Sequence, residues 1–258
     1  MQFKQIRHAT CMLTIQEKRL LVDPMLSPKG VLPAIEGVPN AQNNPLVDLP
    51  VPVEELLQCD AIIVTHMHRD HFDTAAAEWL PKQLPVFCQP EDEKKLTELG
   101  FAQVIPVKTQ VVWQGIRICR TKARHGHGTL ALQMAPSSGY ILSAQGDPTV
   151  YLTGDTVWCS YIKKAINRHH PDNIVCYSGE ARFAKGRPIT MDKVDIVSVC
   201  ANAPGAKVIA IHMEAWNHCR LARETLSEYV TANNLQNQVY IPQNGEEITL
   251  DITACQGL

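Results

Sequence analysis

Three histidines and one aspartate stand within positions 66–71, one residue after the apolar run 61–64. Four consecutive apolar residues before a polar turn are typical of a buried strand that ends there. Residues two apart on a chain leaving a strand point to the same side, so His66 and His68 can bind one cation. The turn can then present the aspartate and the last histidine to a second cation. Imidazole nitrogens with carboxylate oxygens suit zinc, manganese or iron.

Predicted strands dominate the first part of the chain, and strands alternate with helices in the last third. Asp73 is a predicted helix N-cap, followed by residues 74–79. The patterns predict strands at 3–7, 12–16, 19–22, 86–88, 104–107, 111–121, 130–134, 140–143, 150–152, 174–176, 208–211, 239–241 and 247–250, and helices at 161–168, 192–201 and 221–231. We find no repeat and no linker, so we expect one α/β domain over residues 1–258.

The segment 24–52 is too irregular for a helix or a strand. It contains seven of the 17 prolines, two glycines and an asparagine-rich stretch at 40–44. A loop of this length in a compact domain is usually functional. We therefore expect it to form a wall or lid of the site.

The amino-acid composition of the chain disfavours several classes of protein. The chain is 45% hydrophobic and 19% charged with a formal net charge of -2, so it can bury a sizeable core and carries no basic excess for nucleic acid or anionic membranes. The nine cysteines include no Cys-x-x-Cys pair, which indicates buried thiols rather than a disulfide framework. With neither a secretory leader nor a long apolar run, we expect a cytoplasmic protein.

Three further motifs follow the 66–71 string: Arg-His-Gly-His-Gly at 124–128, Thr-Gly-Asp-Thr at 153–156, and Ile-His at 211–212. In this order they resemble the signature of the metallo-β-lactamase fold superfamily. Segments 23–24, 188–191 and 212–219 are similar to a bacterial branch of metal-dependent hydrolases related to the ascorbate-6-phosphate lactonase group. The resemblance implies an αββα sandwich, in which two mixed sheets are flanked by helices.

The resemblance also implies a site for two divalent metal ions, zinc first and manganese or iron as alternatives. One ion would be held by three histidines, the other by an aspartate and two histidines, with a further aspartate bridging them: His66, His68 and His125; Asp70, His71 and His212; and Asp155. His127 is a rival to His125. We prefer His125 because it closely follows the predicted strand end near Ala123.

From this site we expect hydrolysis of an ester, lactone or phosphoester bond in a small, anionic substrate. The two metals would lower the pKa of a bridging water to give a hydroxide nucleophile, which Asp70 would orient. His218 is a candidate proton donor or substrate contact.

Other polar residues near the motifs have predicted supporting roles. The basic loop residues Arg182, Lys185 and Arg187 could hold an anionic group, and we predict that Trp216 contacts the substrate. Four residues are candidates to orient the metal-binding imidazoles: Asp23, Thr65, Thr156 and Glu214. His8 either faces the metals or bonds to the backbone.

Three other functions fit parts of the pattern. The same ligand set could hold iron for oxygen or sulfur chemistry, which would make the protein an oxidoreductase. A nuclease of the same superfamily is disfavoured by the charge balance. A non-catalytic metal-binding protein is the third alternative. We expect a small-molecule substrate and neither a nucleic-acid nor a membrane partner, while the sequence leaves the oligomeric state, including a homo-oligomer, open.

Overall fold

Two seven-stranded sheets form the centre of the computed structural model, which describes residues 1–134 and 136–253. The first sheet has the order β14-β1-β2-β3-β4-β5-β6. Its strands are β1 Gln2–Arg7, β2 Thr10–Ile15, β3 Lys18–Val22, β4 Ala61–Val64, β5 Pro85–Cys88, β6 Gln103–Pro106 and β14 Glu247–Thr249. Pairing is antiparallel from β14 to β3 and parallel from β3 to β6, so the sheet is mixed.

The second sheet repeats this arrangement with the order β13-β12-β11-β10-β9-β8-β7. Its strands are β7 Gln110–Trp113, β8 Ile116–Lys122, β9 Ser138–Ser143, β10 Val150–Leu152, β11 Asn173–Tyr177, β12 Lys207–Ile211 and β13 Val239–Tyr240. The pairs from β10 to β13 are parallel, and those from β7 to β10 are antiparallel.

Helices cover the outer face of each sheet. They are α1 Val53–Leu56, α2 Thr74–Trp79, α3 Glu93–Glu98, α4 Leu130–Gln133, α5 Ser160–His169, α6 Lys193–Asn202 and α7 Arg223–Ala232, with a 3₁₀ turn at Pro90–Asp92. A central apolar core, including Phe3 and Tyr140, joins the two sheets. Leu56, Leu96 and their neighbours pack under α1 to α3, and a third cluster packs under α5 to α7. These layers confirm the expected αββα sandwich.

Most predicted elements form, and Asp73 caps α2 by accepting a hydrogen bond from Ala76 N at 2.8 Å. Two predictions are wrong. The segment 111–121 is a hairpin of β7 and β8, because Gln114 and Gly115 adopt positive φ angles of 49° and 81° that turn the chain. Residues 130–134, predicted as a strand, begin with the short helix α4, which the good helix formers leucine, alanine and glutamine favour where no strand pairs with them.

The described cysteines agree with the sequence expectation. Eight of them are free, and seven of these are buried. Among the helices in the described ranges, none has the length and apolar composition needed to span a bilayer.

The carboxyl ends of four strands meet where the sequence motifs begin. The 66–71 string follows β4 after one residue, His125 follows β8, Asp155 follows β10, and His212 follows β12 directly. Strands β8, β10 and β12 run in the same direction in the second sheet, so their carboxyl ends lie at one edge. As in other α/β proteins, this edge is where a ligand site is expected.

The turn before Asp155 gives a test of this positioning. Gly154 has a φ of 63°, and a Cβ added there would lie 2.3 Å from Ser138 O. Gly146 has a φ of 82° with nothing within 4 Å of an added Cβ. We expect Gly146→Ala to lower the free energy of unfolding by about 1 kcal/mol, the cost of a left-handed alanine. Gly154→Ala should lower it by about 2–4 kcal/mol, because the backbone must also shift. Urea unfolding of both variants measures the difference, and equal losses would contradict the close packing at Gly154.

Candidate metal centre

Eight side chains with metal-ligand atoms converge at this edge. Within each of three groups, the ligand-type atoms all lie within 4.8 Å of one another: His8, Asp70, His71 and His212; His66, His68 and His125; and His66, His71 and Asp155. All seven residues predicted as ligands are in these groups. The structure therefore brings together four segments that are distant in sequence.

Asp155 lies at the centre of the cluster. Its Oδ1 is 3.2 Å from His212 Nε2 and 3.3 Å from His71 Nε2. Its Oδ2 is 3.4 Å from His125 Nε2 and 3.9 Å from His66 Nε2. The two carboxylate oxygens thus face two different sets of imidazoles, which is the arrangement expected of a carboxylate that bridges two cations.

Asp155 Oδ1 is buried and has no hydrogen-bond partner within the described ranges. A buried carboxylate oxygen without a partner is costly, so such an atom calls for a ligand. His66 Nε2 also lies 2.9 Å from His68 Nδ1, and His212 Nε2 lies 3.2 Å from His71 Nε2. Two imidazole nitrogens at this distance repel unless one carries a proton or both bind a cation. The donor set fits divalent cations.

The electrostatics of the cluster favour bound positive charge. Burial alone would raise the pKa of Asp155, but the neighbouring imidazoles, His212 foremost, hold it well below its usual range. Burial would also raise the pKa of Asp70, but the imidazoles of His71, His8 and His218 together hold it well below its usual range. Burial would lower the pKa of His71, but the carboxylates of Asp155, Asp70 and Asp23 raise it well above its usual value. Asp70 and Asp155 therefore stay ionised although they are buried, and they favour positive charge beside them.

Asp23 fixes one side of the cluster. It follows β3 with a φ of 44°, and its Oδ2 lies 2.9 Å from His71 Nδ1. The same carboxylate accepts hydrogen bonds from Thr65 N and Thr65 Oγ1, both at 2.7 Å, and from Tyr177 OH at 3.0 Å. Asp23 therefore orients the His71 ring so that Nε2 faces Asp155, as the sequence led us to expect.

The other predicted orienting residues differ in their contacts. Thr65 Oγ1 lies 3.2 Å from His66 Nδ1, which fits the expectation. Thr156 instead accepts a hydrogen bond from Arg124 N, and the Glu214 carboxylate pairs with Arg223. The predictions for Thr156 and Glu214 are therefore wrong, because backbone and arginine donors occupy these side chains.

Backbone and sulfur atoms supply orienting contacts that the sequence analysis missed. His125 Nδ1 lies 2.9 Å from Ile189 O, and Cys219 Sγ lies 3.8 Å from His212 Nδ1. The close approach of Cys219 requires Gly179, where an added Cβ would lie 2.3 Å from His212 O and 2.9 Å from Cys219 Sγ. No sequence pattern signals these contacts, since they depend on the tertiary packing of three loops.

His8, at the end of β1, faces the cluster. It is fully buried, its Nε2 is 3.2 Å from Asp70 Oδ2, and its ring centroid is 3.6 Å from that of His212. The sequence left open whether the His8 side chain faces the metals or bonds to the backbone. In the structure, this side chain lies beside the predicted ligands.

The two histidines of the 124–128 motif occupy different environments. His125 is buried within the cluster, whereas His127 is half-buried and belongs to none of the three ligand groups. The polypeptide turns away between them at Gly126, where φ is 106°. The geometry thus favours His125 as the ligand-type residue.

A cavity of about 300 Å³ opens beside the cluster. It is lined by Ile35, His68, Arg69, Asp70, His125, Met134, Asp155, Phe183, Ile189 and His218. The predicted residue His218 is thus on the cavity wall. Burial lowers the pKa of His218 to about 4, so its ring is neutral at neutral pH and can donate one N–H.

The predicted substrate-binding residues do not line this cavity. Arg182 forms an ion pair with Glu180, so its charge is already compensated. Arg187 is exposed on the surface loop. Trp216 is fully buried and packs with Met25, which leaves it no surface for a substrate. The geometry of this cavity gives the three predictions no support, and the cationic residue on its wall is Arg69.

The proline-rich segment contributes Ile35 to the cavity, as expected of a wall or lid. Asn217 holds it in place. Asn217 Oδ1 accepts hydrogen bonds from Ile35 N and Asn44 Nδ2, both at 3.0 Å. Asn217 Nδ2 donates to Ile35 O at 3.0 Å and to Asn40 O at 2.7 Å. One side chain thus joins the loop to the segment that follows His212.

Arg7 anchors both ends of the same segment. Its buried guanidinium donates to Met25 O and Ser27 O, at 2.8 and 2.9 Å, and to Val47 O at 3.0 Å. Burial lowers the pKa of Arg7 to about 10, which leaves it charged at neutral pH. Arg7 therefore fixes both ends of the loop to the sandwich, and Asn217 fixes the part that contributes Ile35 to the cavity wall.

The sequence matches a known family over most of its length. Residues 18–213, which include all seven predicted ligands, match the model of the Beta-lactamase superfamily domain. The UPF0173 protein YddR of Bacillus subtilis (strain 168) is 37% identical over 253 residues, covering 96% of this chain and 100% of that protein.

Two solved structures are similar over nearly the whole chain. A possible metal-dependent hydrolase from Veillonella parvula DSM 2008 has a TM-score of 0.93 and 37% identity, covering 96% of this chain and 99% of its own. The isothiocyanate hydrolase from Delia radicum gut bacteria has a TM-score of 0.92 and 34% identity, with coverages of 96% and 99%.

The role of Asn217 can be tested by stability and proteolysis. Asn217→Ala leaves several buried polar groups of the loop without partners, so we expect a loss of about 2–4 kcal/mol in the free energy of unfolding. Cleavage within residues 31–44 by a non-specific protease should also accelerate. The control is Asn40→Ala, which removes only a solvent-exposed bond from Gln42 N and should cost about 0.5 kcal/mol. If both variants were cleaved at the wild-type rate, Asn217 would not hold the loop.

Proposed function

Since this chain is a metal-dependent hydrolase of the metallo-β-lactamase superfamily, we propose that its site holds two divalent cations with Asp155 between them. The observation that carries the proposal is the position of Asp155, whose two oxygens face separate sets of histidines while Oδ1 lacks a hydrogen-bond partner among the described residues. Placement within the branch related to the ascorbate-6-phosphate lactonase group stays a prediction.

The proposed ligands divide into two sets that share Asp155. One cation is assigned to the group that faces Asp155 Oδ2, and the other to the group that faces Oδ1: His66, His68 and His125; and Asp70, His71 and His212. Asp23 and Ile189 O would hold His71 and His125 in the tautomers that present Nε2. Zinc is the first choice for this set, with manganese or iron as alternatives.

Bound divalent cations would supply a nucleophilic hydroxide at neutral pH and polarise the substrate oxygen. Asp70 belongs to one of the ligand groups and also lines the cavity. His8 Nε2 approaches Asp70 Oδ2 and would fix the direction of that carboxylate toward the reacting water. His218, neutral and on the same wall, would donate a hydrogen bond from its N–H to the leaving-group oxygen and would keep its proton.

The proposed reaction is hydrolysis of an ester, lactone or phosphoester bond in a small substrate. The cavity volume of about 300 Å³ agrees with a small molecule. A second candidate is an isothiocyanate, because a relative at 34% identity is described as an isothiocyanate hydrolase. Ile35, Phe183 and Ile189 give the cavity an apolar wall that suits such a substrate.

Metal binding by variants of the 124–128 motif tests the ligand assignment. Metal analysis of the reconstituted wild-type protein should give two ions per chain. We expect His125→Ala to lose about one ion and to lower kcat/KM at least about a hundredfold, because a ligand is removed. His127→Ala, its matched control, should keep two ions and the wild-type rate. Loss of metal in the His127 variant alone would reverse the assignment.

The reaction class is tested with a panel of esters, lactones, phosphodiesters and isothiocyanates. Metal-loaded wild-type protein should hydrolyse at least one class, and Asp70→Asn should lower that rate by about a hundredfold or more. Protein that is inert toward the whole panel contradicts the proposed substrates. Oxygen consumption by iron-loaded protein on a thiol would instead favour the oxidoreductase alternative.

A further inference from the structure

Arg69 stands inside the 66–71 string but belongs to none of the metal-ligand groups. Its side chain lines the cavity together with His68, Asp70 and His218. It is therefore a cation on the wall of the proposed active site, beside the ligands and outside the ligand set.

The guanidinium of Arg69 makes only weak contacts with the described residues, and most of its N–H donors have no partner among them. Its Cζ lies 5.3 Å from the centroid of the Trp216 ring, within the range of a cation–π contact. Its Nη2 lies 3.4 Å from Ala34 O, a long hydrogen bond. Within residues 1–134 and 136–253, no carboxylate oxygen lies within 4.0 Å of a guanidinium nitrogen of Arg69.

Three other arginines have stronger polar partners than Arg69 has. Arg7 donates to three carbonyl oxygens, Arg182 pairs with Glu180, and Arg223 pairs with Glu214. Since guanidinium carries five N–H donors, the single long bond of Arg69 leaves capacity for a further acceptor. The packed Trp216 ring fixes the position of the charge without neutralising it.

The remaining cavity wall is largely apolar, with contributions from Ile35, Met134, Phe183 and Ile189. The cavity thus joins three environments: the proposed metal ligands, an apolar wall and one uncompensated cation. A single planar guanidinium matches a carboxylate in both charge and geometry, whereas a phosphate dianion would require more positive charge.

We propose that Arg69, positioned by the face of Trp216, determines specificity by binding a carboxylate carried by a small, otherwise apolar substrate. The proposal rests on the hydrolytic function proposed above and names the substrate class. The scissile bond would lie at the ligand cluster, the carboxylate at Arg69, and the aliphatic part between them along the apolar wall.

Two esters of similar size test this specificity. Mono-p-nitrophenyl glutarate carries a terminal carboxylate, and p-nitrophenyl pentanoate is a neutral analogue. We expect wild-type kcat/KM to favour the glutarate ester by about tenfold to a hundredfold, the range of one charged hydrogen-bonded contact. Arg69→Met should lower this ratio to about one, and Arg69→Lys should retain part of it. Arg187→Met, which removes an exposed cation, should keep the wild-type ratio.

The binding of unreactive amides separates this proposal from the catalytic one. Calorimetry on metal-loaded protein compares the monoamide of glutaric acid, which keeps one carboxylate, with its diamide. We expect Arg69→Met to weaken binding of the monoamide at least about tenfold more than that of the diamide, while two metals per chain remain. If this difference is found but the protein is inert toward the whole panel of esters, lactones, phosphodiesters and isothiocyanates, the hydrolytic proposal fails and the role of Arg69 stands. If the ester ratio and the amide difference are both unchanged in Arg69→Met, the proposal for Arg69 is overturned.

Discussion

The structure depends on the burial of three carboxylates at the edge where the two sheets meet. Asp23, Asp70 and Asp155 are each at most 6% exposed, and imidazoles surround the last two. Burial opposes the charged form of a carboxylate, so this arrangement persists only with compensating positive charge and hydrogen bonds. Thr65 and Tyr177 supply hydrogen bonds to Asp23, while Asp155 Oδ1 lacks one within the described part of the chain. A bound pair of cations would meet this requirement directly.

The rigid strands of the sandwich fix the positions of the short segments that carry the cluster residues. Each ligand-bearing segment leaves a strand that is largely buried in the core, so its first residues have little freedom. The backbone is left-handed at His8, Asp23 and His212, where φ is 58°, 44° and 74°. Such conformations are unfavourable for these residue types and are retained where surrounding packing enforces them. All three residues lie at the cluster, so the unfavourable backbone conformation there serves to orient their side chains.

The residues alone predicted an α/β domain and a metal-binding string at 66–71, whereas the sandwich and the full ligand set were implied by the resemblance to the metallo-β-lactamase superfamily. Apolar runs mark the buried strands, and the 66–71 string and Asp155 follow strand ends that share one edge. The cavity wall could not be predicted in the same way. Arg182 and Arg187 looked equally able to reach a substrate, and only tertiary contacts show that one is paired and the other exposed. Arg69 was visible in the string, but its availability depends on Trp216, which is 147 positions away along the chain.

The central claim is that two cations lie on either side of Asp155. Anomalous diffraction from crystals of the metal-loaded protein, recorded above and below the absorption edge of the metal, locates the ions directly. The account predicts two peaks in each chain, one adjoining Oδ1 with His71 and His212, and the other adjoining Oδ2 with His66 and His125. A single peak, or peaks remote from Asp155 in fully loaded protein, would contradict it.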